Sequence, residues 1–324
     1  MAASSASSAY AEYTYESGFG GGGSANTPIR FGKEVKVTGL EFKNNQMALG
    51  QLYSPEIETF AYGKTEGKCS VEYVASNPWF LQSIFGTAVS ASSTPSPLYT
   101  HTWNSAGSSA GMKSINSLAV KLGFDVETDY KRTAVGVVCP SLSIKMSLNE
   151  TVKVSQELVW GEETVNQTFS EPQGTELAGA IPYTFVHAVI TSPLTGSTLA
   201  TVQSFDLNLN TNAELIYQMG NTDSADAYRK ILEMTGKVQI VLKSSAFLEE
   251  VYGRSATANN LVVTLSNGLS GNSVRKIVLT FTGCSFSVNN VSGMEPGELL
   301  LEDVDFQCKH VTAVATNIAT ALPS

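Results

Sequence analysis

The segment Ser141-Leu-Ser-Ile-Lys-Met-Ser-Leu148 alternates polar and apolar residues without interruption. Because successive side chains of a β-strand point to opposite faces, its apolar residues share one face and its Ser and Lys residues the other. Similar short runs, separated by Gly, Asn and Pro, continue along the chain from residue 30 onward. The pattern predicts a mainly β protein.

Five blocks of sequence recur in the same order in the two halves of the chain. The recurrence predicts two copies of one β-domain, at residues 27–165 and 166–324, after a low-complexity arm at residues 1–26. The matched blocks are Leu40–Asn45 with Leu207–Asn212, Gly67–Ser76 with Gly236–Ser245, Trp79–Gly86 with Ala246–Gly253, Ser141–Ile144 with Ser285–Val288, and Gln156–Trp160 with Glu302–Phe306.

Each copy is predicted to carry one short α-helix. In the first copy Asn77 can cap the helix, Pro78 suits its first position, and Gly86 ends it. The apolar residues of each helix fall on one face and would seal the open side of the sheet. They are Phe80, Leu81, Ile84 and Phe85 in the first copy, and Phe247, Leu248, Val251 and Tyr252 in the second.

The composition narrows the class of protein. Charged residues make up only 15% of the 324 residues, and the formal net charge is −9. A weakly charged surface suits a subunit that buries much of itself against copies, although a weakly charged monomer is the alternative. The acidic balance disfavours a nucleic-acid reader, which needs a basic face. Without a long apolar run or an apolar leader, we expect neither membrane insertion nor a signal peptide.

The sequence contains no recognisable catalytic or metal-binding pattern. Cys69, Cys139, Cys284 and Cys308 are scattered without a CxxC pair, so we interpret them as small buried hydrophobic residues. The three histidines are isolated, and no GxSxG, HExxH or phosphate-binding glycine loop is present. We therefore expect no enzyme activity, no catalytic residue, no metal and no cofactor.

Beyond these patterns, both halves resemble the tail tube proteins of tailed phages and related archaeal viruses. The resemblance covers about residues 30–312 and rests on the order of packing and turn motifs. In the first half these are Met47–Gly50, Ser70–Val74, Ser117–Asp125 and Gly136–Ile144; in the second they are Phe185–Thr191, Thr198–Tyr217, Gln218–Gly220 and Thr235–Leu242.

The resemblance implies a β-sandwich or half-barrel with a helix, whose sheets join between subunits into a hollow tube. Single-domain relatives form six-membered rings, so a chain with two such domains would form a pseudo-six-fold homotrimer. The implied partners are further copies of the chain, the tape measure protein, and the tail terminator and tip proteins. Double-stranded DNA would pass through without specific binding. The implied location is the virion tail, assembled in the host cytoplasm.

Two polar segments are candidates for contacts between rings, the arm at residues 1–26 and the insertion Thr87–Asn116. Both are predicted to be too polar to build a core, yet they carry aromatic side chains of the kind enriched at interfaces. A floppy tail and an exposed loop are the alternative. The candidate inter-ring residues are Tyr10, Tyr13, Tyr15, Phe19, Tyr99 and Trp103.

The channel wall is predicted from strand alternation. The apolar face of each strand must meet the core, so the opposite face looks into the channel, onto a neighbour, or simply into solvent. With acidic residues and only two lysines, this face is expected to repel phosphates over about 8 Å at physiological salt. The candidate channel-lining residues are Ser70, Glu72, Ser143, Lys145 and Glu157 in the first copy, and Gln239, Lys243, Asp303 and Asp305 in the second.

Other functions remain open at the level of sequence. The chain could be the inner tube of a contractile tail or of a cellular injection machine, which the sequence does not separate from a flexible tail. A surface or adhesin β-protein is a more distant alternative, since Asn149, Asn166 and Asn290 head formal glycosylation sequons.

Overall fold

A computed structural model describes residues 9–21, 28–50, 56–92, 99–105, 116–124, 130–166, 174, 180–192, 197–198, 202–242, 249 and 260–317. Antiparallel strands dominate this part of the chain, so the predicted mainly β fold is confirmed. Among the described residues, no helix has the length and apolar character needed to cross a lipid bilayer.

The strands and the helix follow one another along the chain in this order. The first half contains β1 Ala9–Tyr15, β2 Ile29–Arg30, β3 Lys33–Gly50, β4 Ile57–Val74, α1 Phe80–Phe85, β5 Val89–Ser92, β6 Tyr99–Asn104, β7 Leu118–Phe124, β8 Tyr130–Ser147, β9 Lys153–Trp160 and β10 Glu162–Asn166. The second half contains β11 Val189–Ser192, β12 Ser197–Thr198, β13 Val202–Asn210, β14 Glu214–Tyr217, β15 Ser224–Tyr228, β16 Glu233–Val241, β17 Leu261–Ser266, β18 Lys276–Thr282, β19 Ser285–Ser292, β20 Leu301–Gln307 and β21 His310–Asn317. In the described part of the chain, 3-10 turns lie at Phe185–His187 and Gly271–Ser273.

The larger sheet contains the same four-stranded unit twice. In the first half the neighbouring strands run β3-β4-β9-β8, and in the second half they run β13-β16-β20-β19. All of these pairs are antiparallel, so β3, β4, β9 and β8 are the counterparts of β13, β16, β20 and β19. The units lie side by side because β8 pairs with β13. The division at residues 165 and 166 stays a prediction, since one sheet crosses it.

A glycine opposite an aromatic ring fixes the register in both units. Gly67 on β4 pairs with Trp160 on β9, and Gly236 on β16 pairs with Phe306 on β20. A Cβ on Gly67 would lie 2.7 Å from Trp160 Cδ1 and nearer still to other atoms of that ring. A Cβ on Gly236 would lie 2.7 Å from Phe306 Cε1. Only glycine leaves room for a ring to cross the strand at these points.

The shared register agrees with two of the matched sequence blocks and shifts two others. In the block that begins at Leu40, Phe42 rather than Leu40 is the counterpart of Leu207, because Phe42 pairs with Gly67 and Leu207 with Gly236.

Ser141 pairs with Glu157 on β9, whereas Ser285 pairs with Gln307 on β20. Because Asp303 rather than Gln307 is the counterpart of Glu157, Ser141 and Ser285 are not equivalent in the two units. Their matching Ser-apolar-Ser patterns reflect the common period of two residues in strands.

The helix α1 begins at Phe80, later than the capping pattern indicated. Asn77 Oδ1 accepts a hydrogen bond from the Trp79 N–H at 3.1 Å, and Gly86 ends the helix with a φ of 80°. The helix packs on the core face of the first unit, where all of its residues are buried. Gln156 on β9 donates a hydrogen bond to Ser83 Oγ in this helix at 2.8 Å. The helix predicted for the second copy lies outside the described residues, apart from Glu249.

The predicted polar insertion supplies strands to a second sheet, ordered β12-β11-β17-β18-β21-β6-β5. In this sheet β6 pairs with β21, which places Trp103 opposite Ala313. Trp103 and His101 are buried. The expectation that residues 87–116 build no core was therefore wrong, because their aromatic residues alternate in a strand whose partner lies in the other half of the chain.

The N-terminal arm also contributes to the core. β1 pairs with β7 along its whole length, and Tyr13 and Tyr15 are each only 3% exposed. The Tyr15 hydroxyl donates to the carbonyl oxygen of Trp79 at 2.6 Å, and the Tyr13 ring centroid lies 4.6 Å from that of Phe31. Residues 9–15 are thus a strand of the chain's own sheet, which corrects the expectation of a coreless arm.

Candidate channel-lining face

The predicted polar face of the first unit continues onto the second. Directly opposed residues of antiparallel strands project to the same face of a sheet. Two rows of paired polar residues cross β4, β9, β8 and β13 in this way. One row is Ser70, Glu157, Ser141 and Asn210, and the next is Glu72, Ser155, Ser143 and Asn208.

A third row carries charges of both signs and extends to β20. Lys145 pairs with Asp206, Asp206 with Lys237, and Lys237 with Asp305. Opposite charges on neighbouring strands attract one another weakly, by about 0.2–1 kcal/mol for each pair. The row also includes Lys153, which pairs with Lys145, so it carries three lysines and two aspartates rather than a block of one sign.

A fourth row ends in a small hydrogen-bonded group. Gln239 pairs with Asp303, and its Nε2 donates to Asp303 Oδ1 at 2.9 Å. The other carboxylate oxygen of Asp303 lies 3.0 Å from Lys237 Nζ. This hydrogen bond raises the pKa of Lys237. The lysine therefore stays charged, and its charge is already balanced by protein carboxylates.

The structure brings eight of the nine predicted channel-lining residues onto one face of one sheet. Glu72, Lys145 and Glu157 are exposed, and the others are half-buried. Lys243 lies outside the described residues. The opposite face holds Tyr73, Leu142 and Phe205 in the hydrophobic core. Whether the polar face lines a channel stays a prediction.

Sequence reasoning missed several charged residues of this face, namely Lys68, Lys153, Asp206 and Lys237. The same alternation that identified Lys145 could have found Lys153 and Lys237. Lys68, Lys153 and Lys237 raise the number of lysines on the described face above the two expected, and the net charge of the wall stays a prediction.

The six predicted inter-ring residues divide into two groups. Tyr13, Tyr15 and Trp103 fill the chain's own core, so the expectation that they contact another ring was wrong. Tyr10, Phe19 and Tyr99 are half-buried. The Tyr10 ring covers Gly123 on β7, and the Phe19 ring covers Gly136 on β8, where a Cβ would lie 2.9 Å from Phe19 Cζ.

The outer half of the β3–β4 hairpin exposes apolar side chains that sequence reasoning did not single out. β9 pairs with β4 only from Gly67 onward, so residues 57–66 have β3 as their strand partner. Met47 is 57% exposed and Tyr62 is 64% exposed. The base of this hairpin is held by the second half of the chain, because the Tyr217 hydroxyl donates to the carbonyl oxygen of Thr65 at 2.6 Å.

A long sheet with a polar face, a core on its other side and a repeated strand unit defines a mainly β protein built around one extended sheet. A family model described as phage tail tube protein matches residues 62–308, and the chain belongs to that family. Membership gives it a structural role in the tail tube of a virion. A search of the curated proteins finds no match.

Proposed function

We propose that three chains close into a ring and that the rings stack into a hollow tube, which conducts double-stranded DNA from the capsid to the host cell. The observation that carries this proposal is the lateral joint between β8 and β13. It sets two units of the same strand order side by side in one sheet. Six such units, supplied by three chains, would continue the sheet around a closed ring.

Ring closure also meets a physical need of the sheet. An open sheet exposes strand edges that invite uncontrolled pairing, and closing the sheet on itself removes them. The two repeated units of the larger sheet end in edges at β19 and β3, while β2 and β10 form further edges of the same sheet. A ring of identical chains uses both edges in every copy, which fits a protein that works only as an assembly.

The polar face is proposed to line the channel. Lysines that neutralise DNA phosphates add affinity through counterion release. On this face Lys145 and Lys237 each oppose Asp206, and Lys237 contacts Asp303. Charges balanced within the wall leave little net attraction for passing DNA, so the genome would slide without being held.

The remaining partners are part of the same proposal. The tape measure protein would occupy the channel before the genome does, and the terminator and tip proteins would cover the two ends of the tube. Assembly would take place in the host cytoplasm.

Native mass spectrometry of isolated rings tests the ring order. Three protomers in each ring are expected, together with hollow tubes in negative-stain micrographs. Rings of six protomers would mean that only one half of each chain lines the channel, and compact monomers at high concentration would contradict the proposed function.

A charge-reversal variant tests the channel face. Replacing Glu157, Asp303 and Asp305 with lysine should leave tubes intact but slow genome delivery, since unbalanced lysines would then face the phosphates. Normal delivery by tubes of this variant would place these carboxylates outside the channel.

The matched control carries the same change of charge elsewhere. Asp226, Glu295 and Glu298 are exposed and lie outside the paired rows of the polar face. Their replacement with lysine should leave delivery at the rate of the unmodified protein.

A further inference from the structure

Four strands of the larger sheet, β2, β3, β10 and β19, have one strand partner each among the described residues, and β3 and β19 are those that end the two repeated units. β19 pairs with β20, and β3 pairs with β4. The outer side of each therefore presents backbone groups that no described strand of the same chain covers. Lys33, Lys36, Glu41 and Lys43 on β3 are charged, and such charges protect an edge against indiscriminate pairing.

The chain contains its own example of how two units join. β8 ends the first unit and β13 begins the second, and the two pair antiparallel from Ser141 and Asn210 to Ser147 and Ser204. In the repeated strand order β19 is the counterpart of β8, and β3 is the counterpart of β13. The free edges are thus the same two kinds of edge that already meet within the chain.

We propose that β19 pairs antiparallel with β3 of a second copy of this chain, in the register of the internal β8–β13 joint. The proposal rests on the ring assembly proposed above and identifies the surface through which one chain meets the next. Each copy then uses β19 on one side and β3 on the other, so the contact is head-to-tail and closes into a ring.

The expected register follows from matching the paired residues of the first unit with those of their counterpart strands in the second unit. Within the chain, Ser143 pairs with Asn208. Ser143 also pairs with Ser155 on β9, whose counterpart on β20 is Leu301, and Leu301 pairs with Ser292. Ser292 is therefore the counterpart of Ser143.

The same step applies to the other edge. Asn208 pairs with Thr235 on β16, whose counterpart on β4 is Glu66, and Glu66 pairs with Lys43. Lys43 is therefore the counterpart of Asn208. The joint between chains is expected to place Ser292 of one copy directly opposite Lys43 of the next, with both side chains on the polar face.

The two joints differ in chemical character. The neighbouring position in the internal joint is the buried pair Leu142 and Leu209. By the same steps, its counterpart between chains is Val291 with Asn44. A polar residue at this position weakens burial on one side of the joint, which allows the chain to fold alone and associate afterwards.

Disulfide cross-linking tests the register. Ser292→Cys and Lys43→Cys in one chain should give covalent multimers up to the trimer on mild oxidation with copper phenanthroline, reversed by dithiothreitol. Directly opposed positions on antiparallel strands have the separation that a disulfide needs. The native cysteines are buried, and the unmodified protein is oxidised in parallel as the background.

Two control variants make the result specific. Ser143→Cys with Asn208→Cys should close a disulfide within one chain and give no multimers. Ser292→Cys with Lys36→Cys moves one partner about 20 Å along β3 and should give far less cross-linking.

The outcomes separate the register from the function. Rings whose Ser292 and Lys43 variants remain uncross-linked, while the internal control pair oxidises, overturn the β19–β3 register and leave the tube function standing. Failure of the unmodified protein to form rings overturns the proposed function, and the register with it.

Discussion

Replacing Gly236 with alanine should destabilise the chain by about 1–3 kcal/mol, the usual cost of overfilling a packed core. The added Cβ would lie 2.7 Å from Phe306 Cε1 and 2.6 Å from the backbone oxygen of Asp206. The ring can move by rotation, but the carbonyl belongs to the paired strand β13 and cannot. Alanine also restricts the unfolded chain, which offsets about 0.4–1 kcal/mol of the loss.

The equivalent change in the first unit, Gly67→Ala, should lower the free energy of unfolding by less than Gly236→Ala does. A Cβ on Gly67 meets only the Trp160 side chain, with no backbone atom among its nearest neighbours. Combining Gly67→Ala with Trp160→Leu should therefore cost less than the sum of the single changes, by about 0.5–3 kcal/mol. Gly18→Ala is the control, because nothing lies within 4 Å of its Cβ; it should stay within about 0.5 kcal/mol.

Urea unfolding of the unassembled chain, followed by circular dichroism and tryptophan fluorescence, measures these differences. The slope of the transition should remain unchanged while the midpoint falls. Equal stability of Gly236→Ala and Gly18→Ala would refute the reasoning that a ring crossing a glycine sets the register of each unit.

Three further outcomes follow from buried polar groups. Glu163→Ala removes the carboxylate that pairs with the Arg132 guanidinium, where the side chains are 3% and 19% exposed, and should cost about 3 kcal/mol in urea unfolding; Glu214→Ala, at an exposed ion pair, should cost less than about 1 kcal/mol. Burial raises the pKa of Glu162, so the folded state loses stability as the pH rises through the ordinary range of carboxyl pKa values and the side chain ionises. Glu162→Gln should therefore raise the urea midpoint at pH 7, and this gain should vanish below about pH 4. Burial also raises the pKa of the Cys139 thiol to about 12, so mass spectrometry should find it alkylated by iodoacetamide at pH 8 only after unfolding.

Local alternation predicted the faces of individual strands well. β8 carries Leu142, Ile144 and Met146 into the core, as its sequence indicated. Its length was not predictable in the same way, because β8 extends from Tyr130 and changes partners along its course. Gly136, with a φ of 62°, and a register shift near Val138 allow one strand to serve both sets of neighbours. Such pairings join distant parts of the sequence and leave no local pattern.

The candidate face shows the same division between local and distant information. Each of the eight described residues was assigned to the correct side of its own strand, but the β8–β13 joint alone puts both sets on one surface. For Tyr13, Tyr15 and Trp103, the sequence indicated that large aromatic residues need a partner. It did not indicate that the partner is the chain's own core, since β1 pairs with β7 and β6 pairs with β21.

Fusion of two units changes the energetics of the proposed ring. Of its six joints, three would form during folding and three during assembly. A joint within the chain carries no cost of lost translational freedom, whereas each joint between chains does. The internal joint can therefore be apolar and permanent, as Leu142 opposite Leu209 is. In the proposed ring, the edge that forms the joint between chains would have to remain soluble until a neighbour arrives, which fits the charged and amide side chains on β3. In such a ring, one chain with two units would carry two versions of the same contact, each suited to the stage at which it forms.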